Sequence, residues 1–154
     1  MVKVSLQEQF EPTNECFGCG TANQHGLRLR SFVDGDLVVA EWRSRPEHQA
    51  FPGILCGGVI SMLLDCHSDW TAIWAVMTRT GAAEPPMMVT DEYSVKFLRP
   101  APLETAIRIV GRPVHVADRR AIIDASVERD GTVYAVSRGT FVVKQRPETP
   151  RRSS

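Results

Sequence analysis

The sequence predicts an α+β domain, one long helix among six largely antiparallel strands, and three observations carry that prediction. An apolar-rich stretch at 57–79 lies between the Gly57-Gly58 pair and the breakers Gly81 and Pro85-Pro86. Two strand-like runs precede it and four follow it, so helix and strands are segregated rather than alternating. Asp34-Gly35-Asp36 and Asp130-Gly131 each separate two such runs, the usual chemistry of a tight hairpin.

Taken in order, residues 1–26 form an N-terminal segment ahead of the domain. Its start, Met1 to Pro12, is polar with charges of both signs and lacks a signal-peptide pattern. Runs 27–33 and 37–42 are the first two strands, and 46–55 is a loop turning at Pro52-Gly53. The helix follows. Strands are expected at 88–98, 105–112, 121–129 and 133–144, completing a single domain over 27–145. Residues 146–154 contain two prolines, two adjacent arginines and two final serines, and read as a frayed tail.

The helix has its own internal evidence. Val59, Ile60, Met62, Leu63, Leu64, Trp70, Ile73, Trp74, Val76 and Met77 cover most of its circumference, which is the pattern of a buried helix. Ser61, Asp65, Ser68 and Asp69 follow i, i+4, i+7, i+8 spacing and form one polar stripe, expected to face water, a cleft or a partner subunit. His67 lies about 200° from Asp65 at 100° per residue and should find its partners elsewhere.

Composition narrows the function. Lys plus Arg and Asp plus Glu each total 18 in 154 residues, so no net charge advertises nucleic acid as a partner. Asp65, His67 and Asp69 interrupt the apolar run and argue against a membrane span. Four cysteines without a secretory signal point to reduced thiols and a cytoplasmic protein. Cys16-x-x-Cys19 with His25 offers three zinc ligands at most, one short of a structural site, so no metal is expected.

The chemistry concentrates around the helix start. Glycines feeding a helix leave free backbone N–H groups at the positive end of its dipole, suited to an anion or a developing oxyanion. Asp65 is a carboxylate on a mostly apolar helix, costly to bury and beyond the reach of a capping role. It is the candidate catalytic group, either a general base on water or a nucleophile. Eight residues of helix rise about 12 Å, so Gly57 and Asp65 of one chain cannot touch one carbonyl. Two helices packed antiparallel across a two-fold axis would bring Gly57 of one chain to Asp65 of the other, which demands a homodimer.

Cys56-Gly57-Gly58, six residues and then Asp65 resemble the His-Gly-Gly…Asp signature of the hotdog-fold acyl-CoA thioesterases, in particular the phenylacetate-type branch. Cys56 stands where that signature has His. Cys16-Phe-Gly-Cys19-Gly, Asn23 and Gly26-Leu27 resemble the branch's opening segment, and Val95-Lys-Phe-Leu-Arg99-Pro100 its strand after the helix. The resemblance implies a sheet curled around the helix and hydrolysis of an acyl-CoA to a carboxylic acid and free CoA, with coenzyme A as part of the substrate and no separate cofactor. It implies a homodimer, or a dimer of such dimers.

By the same resemblance, Asp65 is the catalytic carboxylate, with Gly57 N–H as oxyanion donor and Gly58 beside it. Asp69 supports the catalytic water, or is a solvated helix residue. His48 and Thr90 are polar groups directed to the site, with a surface His and an ordinary strand Thr as the plainer readings. Arg99, Arg119 and Arg120 are candidate contacts for CoA phosphates, through guanidinium hydrogen bonding. A non-catalytic acyl-CoA or acyl-carrier binding protein is the alternative; a hotdog hydratase would need an Asp and His motif not found here.

Overall fold

A computed structural model describes residues 2–147, and the part of the expected tail at 148–154 lies outside them. Helix α1 (Leu6–Phe10) opens the chain and a hairpin of β1 (Phe32–Asp34) and β2 (Leu37–Arg43) follows. A short 3₁₀ turn (Pro46–His48) leads to the long helix α2 (Gly57–Thr80). Strands β3 (Met88–Phe97), β4 (Ala106–Ala117), β5 (Arg120–Arg129) and β6 (Thr132–Val143) complete it. The helix ends where glycine permits a left-handed residue: Gly81 has φ +73° and its N–H caps Met77 O.

All six strands pair antiparallel in the order β1-β2-β4-β5-β6-β3. The sheet curls around α2 in the hotdog arrangement. Ile60, Leu63, Leu64, Trp70, Ile73 and Val76 of the helix are buried with Ile107, Ile109, Ile123, Val127 and Phe141 of the sheet. At Gly111 the sheet meets the helix so closely that an added Cβ would collide with Thr71 Oγ1, the hydroxyl that donates to His67 O at 2.8 Å. No helix among the described residues is long and apolar enough to cross a membrane.

Three boundaries differ from the sequence reading. The first strand shrinks to Phe32–Asp34, because Leu27 N–H and Leu29 N–H donate instead to Phe17 O and Gly18 O of the N-terminal segment. Strand β4 runs on past Pro113. Its pairing with β2 stops at Gly111, so Pro113, which has no N–H, leaves no donor missing on that side. Helix α1 was not anticipated, although Ser5 and Glu8 form a reciprocal capping box at its start.

A directed chain of hydrogen bonds ties α1 to the centre. Gln7 Nε2 donates to Ser31 Oγ (3.0 Å), while Ser31 N–H donates back to Gln7 Oε1 (2.9 Å). Ser31 Oγ meets His67 Nδ1 at 2.9 Å, and His67 Nε2 meets Val38 O at 2.9 Å. A carbonyl can only accept, so Nε2 carries the proton and Nδ1 accepts from Ser31. His67 thus faces away from Asp65 and is satisfied within the core, as its helical angle predicts.

Candidate active site

Strand β3 lies along the first half of α2 and holds it at three places. The Phe97 ring stands 3.4 Å from where a side chain on Gly57 would begin. One turn on, Tyr93 Oη donates to Ser61 O at 2.9 Å. A further turn on, Thr90 Oγ1 donates to Asp65 Oδ1 at 2.7 Å. The register of β3 against β6 slips between Thr90 and Glu92, a bulge of the kind that re-aims a side chain next to a site.

Asp65 is half-buried, and burial pushes its carboxyl above the usual range while the Thr90 hydrogen bond pulls it back. Asp69 is driven further the same way, by burial first and then by the charge of Asp65. Its Oδ1 is buried and meets no hydrogen-bond partner among the described residues. The polar stripe does not face water along its length. Ser68 is fully buried, and on the other flank of Asp65 the N-terminal segment covers the helix, Gly18 packing on Met62 and Cys66. Asp65, Asp69 and Thr90 remain on the wall of one cleft of about 460 Å³, together with Cys16, Cys19 and Cys66.

The helix start is built differently. Cys56 is the N-cap residue but its side chain makes no cap hydrogen bond, and its carbonyl accepts from Val59 and Ile60. The N–H groups of Gly57 and Gly58 find no acceptor among the described residues, as expected for the first helical positions. A Cβ on Gly58 would meet only Cys56 Sγ, at 3.8 Å, so packing within the chain does not require glycine there. Gly58 and His48 line a second cleft of about 620 Å³ that also includes Cys56 and His25.

His48 is buried against the Trp42 ring at 5.2 Å, and its Nδ1 accepts from Arg45 N–H at 3.0 Å. Its neutral form therefore carries the proton on Nε2. Burial, aided by the charge of Arg45, lowers its pKa. Neither a surface histidine nor a neighbour of Asp65, it belongs to the Gly58 cleft.

The structure thus gathers the candidates into two groups, Asp65, Asp69 and Thr90 in one, Gly57, Gly58 and His48 in the other. The arginines divide likewise. Arg99 is exposed just beyond β3, its N–H on Tyr134 O, near the Phe97–Gly57 end. Arg119 and Arg120 are exposed at the β4–β5 turn, where Arg119 O accepts from Val143 N–H, near the start of β3. Along β6, residues 135 to 142 separate the two ends by roughly 23 Å at 3.3 Å per residue. A further hollow of about 670 Å³ lies among Arg108, Arg112, Asp124 and Arg138 and includes none of these candidates. Two neighbours escaped the sequence reading: Tyr93, which strand alternation alone could not aim at the helix, and Cys66, which nothing in the sequence links to Cys16.

No curated protein matches the chain. Among solved structures, a thioesterase superfamily protein from Shewanella loihica PV-4 is 27% identical, with a TM-score of 0.65 over 80% of this chain and 97% of that one. The E. coli PaaI protein from the phenylacetic acid degradation operon is 14% identical, with a TM-score of 0.65 over 77% of this chain and 81% of that one. A Streptococcus mutans UA159 protein solved with acetyl CoA is 20% identical, with a TM-score of 0.63 over 78% and 91%. The family model of the thioesterase superfamily matches residues 52–136, a span that holds α2, all of the glycine and aspartate candidates, and strands β3 to β5. The fold, the helix start and the matched span agree, and the chain belongs to the thioesterase superfamily.

Proposed function

We propose that the protein hydrolyses acyl-CoA thioesters: water adds to the thioester carbonyl, the C–S bond breaks, and a carboxylic acid and free CoA leave. The observation that carries the reading is Asp65, a half-buried carboxylate held by Thr90 on a cleft wall in a member of the thioesterase superfamily. The acetyl-CoA complex of the Streptococcus mutans relative supports a CoA ester as the ligand class. Asp65 acts as base on water or as nucleophile; in either role it must be unprotonated and free on one oxygen, and Oδ2 is not engaged by Thr90.

The oxyanion donor is Gly57 N–H of a second copy. Within one chain the two groups are about 12 Å apart along the helix. Strand β3 ends the sheet with one edge unpaired, and Phe97 and Leu98 at its end are exposed, a surface that suits pairing with a second β3. Antiparallel pairing would set Gly57 of one copy against Asp65 of the other. The same operation brings Arg99 of one copy toward Arg119 and Arg120 of the other, so both arginine groups would flank one CoA. Gly58 and His48 then belong to the partner's side of the pocket, and Asp69 tunes or supports Asp65 unless a ligand engages it. The dimer, and any pairing of dimers, is part of this proposal.

The test is release of free thiol from a panel of acyl-CoAs. Asp65→Asn keeps the shape while removing base and nucleophile, and turnover should fall at least about a hundredfold. Full turnover in the folded variant would reject the mechanism. CoA-ester binding without turnover in the wild type would favour the non-catalytic alternative. A Gly57→Pro subunit, lacking the N–H, mixed with an Asp65→Asn subunit should regain activity through one intact site. Two folded, inactive parents that exchange subunits and stay inactive would reject the shared site.

A further inference from the structure

The cleft beside Asp65 holds a group of side chains that hydrolysis does not use. The sulfurs of Cys16, Cys19 and Cys66 all lie within 4.8 Å of one another. Cys16 Sγ and Cys66 Sγ are 3.9 Å apart. The expectation of no metal counted Cys16, Cys19 and His25; the fold sends His25 to the Gly58 cleft and supplies Cys66 from the middle of α2 instead.

We propose that Cys16, Cys19 and Cys66 bind a divalent cation of the zinc type in tetrahedral geometry, with the fourth position open to the cleft that Asp69 lines.

Geometry is the first argument. Tetrahedral zinc with Zn–S bonds of about 2.3 Å needs sulfurs about 3.8 Å apart, close to the observed Cys16–Cys66 separation. The second argument is the orphaned carboxylate. Asp69 Oδ1 is buried without a partner among the described residues, on the wall that carries the three thiols. Asp69 is i+3 from Cys66, so the two side chains emerge on neighbouring parts of one helical face. A buried, unpartnered carboxylate is costly in an apolar core, and a cation held in the same cleft lowers that cost.

The surroundings suit thiolates. Trp70 Nε1–H donates to Cys19 Sγ at 3.4 Å. Gly18 has no room for a side chain, since a Cβ would fall on Cys66 Sγ, so glycine lets this loop close onto the helix. Arg30 Nη1 donates to Cys19 O at 3.1 Å and brings a positive charge beside the cluster. Soft sulfur ligands choose zinc-like ions over magnesium or calcium. Binding would displace the thiol protons to solvent and fasten the N-terminal segment to the helix turn after Asp65.

The experiment reads metal, not activity, so its failure and that of the hydrolase reading are separable. Protein purified in a non-thiol reductant without chelator is analysed for zinc per chain, and apoprotein is titrated with Co²⁺. The expected result is about one zinc per chain and a sulfur-to-cobalt charge-transfer band with tetrahedral visible absorption. Cys16→Ser and Cys66→Ser should each weaken Co²⁺ binding at least about a hundredfold, more than loss of an outer partner costs, while Cys56→Ser keeps it. If those variants misfold, the wild-type cobalt spectrum still decides. Folded, fully reduced wild type with no zinc and no charge-transfer band overturns the proposal. So does undiminished Co²⁺ affinity in Cys66→Ser, or a metal-free cluster that only forms a Cys16–Cys66 disulfide.

Discussion

Replacing Thr90 with Val tests whether the hydroxyl on Asp65 matters to the chemistry or only fills space. Val has nearly the same shape, favours strands as Thr does, and lacks only the donor. A hydrogen bond to a charged acceptor is worth about 1.5–3 kcal/mol. Thr90 is exposed and Asp65 only half-buried, so solvent takes part of that, and the lower end, about 1.5 kcal/mol, applies. At 1.36 kcal/mol per decade this is about a tenfold loss of rate. If Asp65 acts as proposed, the loss should fall on kcat with KM little changed, because Thr90 donates to the Asp65 carboxylate. Thr90→Ser restores the hydroxyl and should recover most of the rate. Thiol release gives the kinetics, and the unfolding free energies of all three proteins from urea titration should agree within about 0.5 kcal/mol, since the site is at the surface. Wild-type kcat in Thr90→Val would refute the reasoning, as would a Thr90→Ser protein as slow as Thr90→Val, which would assign the effect to packing.

Two further outcomes concern stability. Gly111→Ala should destabilise the fold by about 1–3 kcal/mol through collision with Thr71, and Thr71→Ala in the same chain should recover part of it; strictly additive urea midpoints would contradict that contact. His48 has a folded pKa below the ordinary 6.5, so the unfolded chain takes up its proton first as pH falls. The stability this gives is present above about pH 6.5 and is lost as pH drops through the window below it. A His48→Gln protein should show a flatter dependence between pH 7 and 5, and parallel curves for the two proteins would count against the burial of a neutral imidazole.

What the sequence disclosed depended on how local the cause was. The bounds of α2 follow from its glycines, and observed ends at Gly57 and Thr80 sit close to the expected 57–79. Strand pairs around Asp34-Gly35-Asp36 and Asp130-Gly131 follow from turn chemistry that needs only two or three residues. The shortening of β1 could not be seen, because Leu27 and Leu29 take partners in a segment ten residues earlier that has no strand signature. Helix α1 was legible in its capping box but lost in a polar neighbourhood. Asp65, Thr90 and Gly57 were each singled out in sequence, but the Thr90–Asp65 hydrogen bond forms beside a bulge no pattern encodes. The thiol cluster was illegible: fifty residues separate Cys16 from Cys66, and only the folding of the N-terminal segment across the helix makes them neighbours.

That segment is bound to the rest by more than sulfur. Helix α1 has five residues, far too few to persist alone in water. Its Gln7 nevertheless sits at the head of a hydrogen-bond relay that passes through Ser31 and His67 to a carbonyl of β2. Releasing α1 would strip Ser31 of both Gln7 contacts and open the buried imidazole's surroundings to water. Helix α1 therefore cannot detach at small cost. The amide protons of α1 should then exchange with solvent on the timescale of global opening, and hydrogen exchange as fast as that of an unpinned segment would contradict the relay.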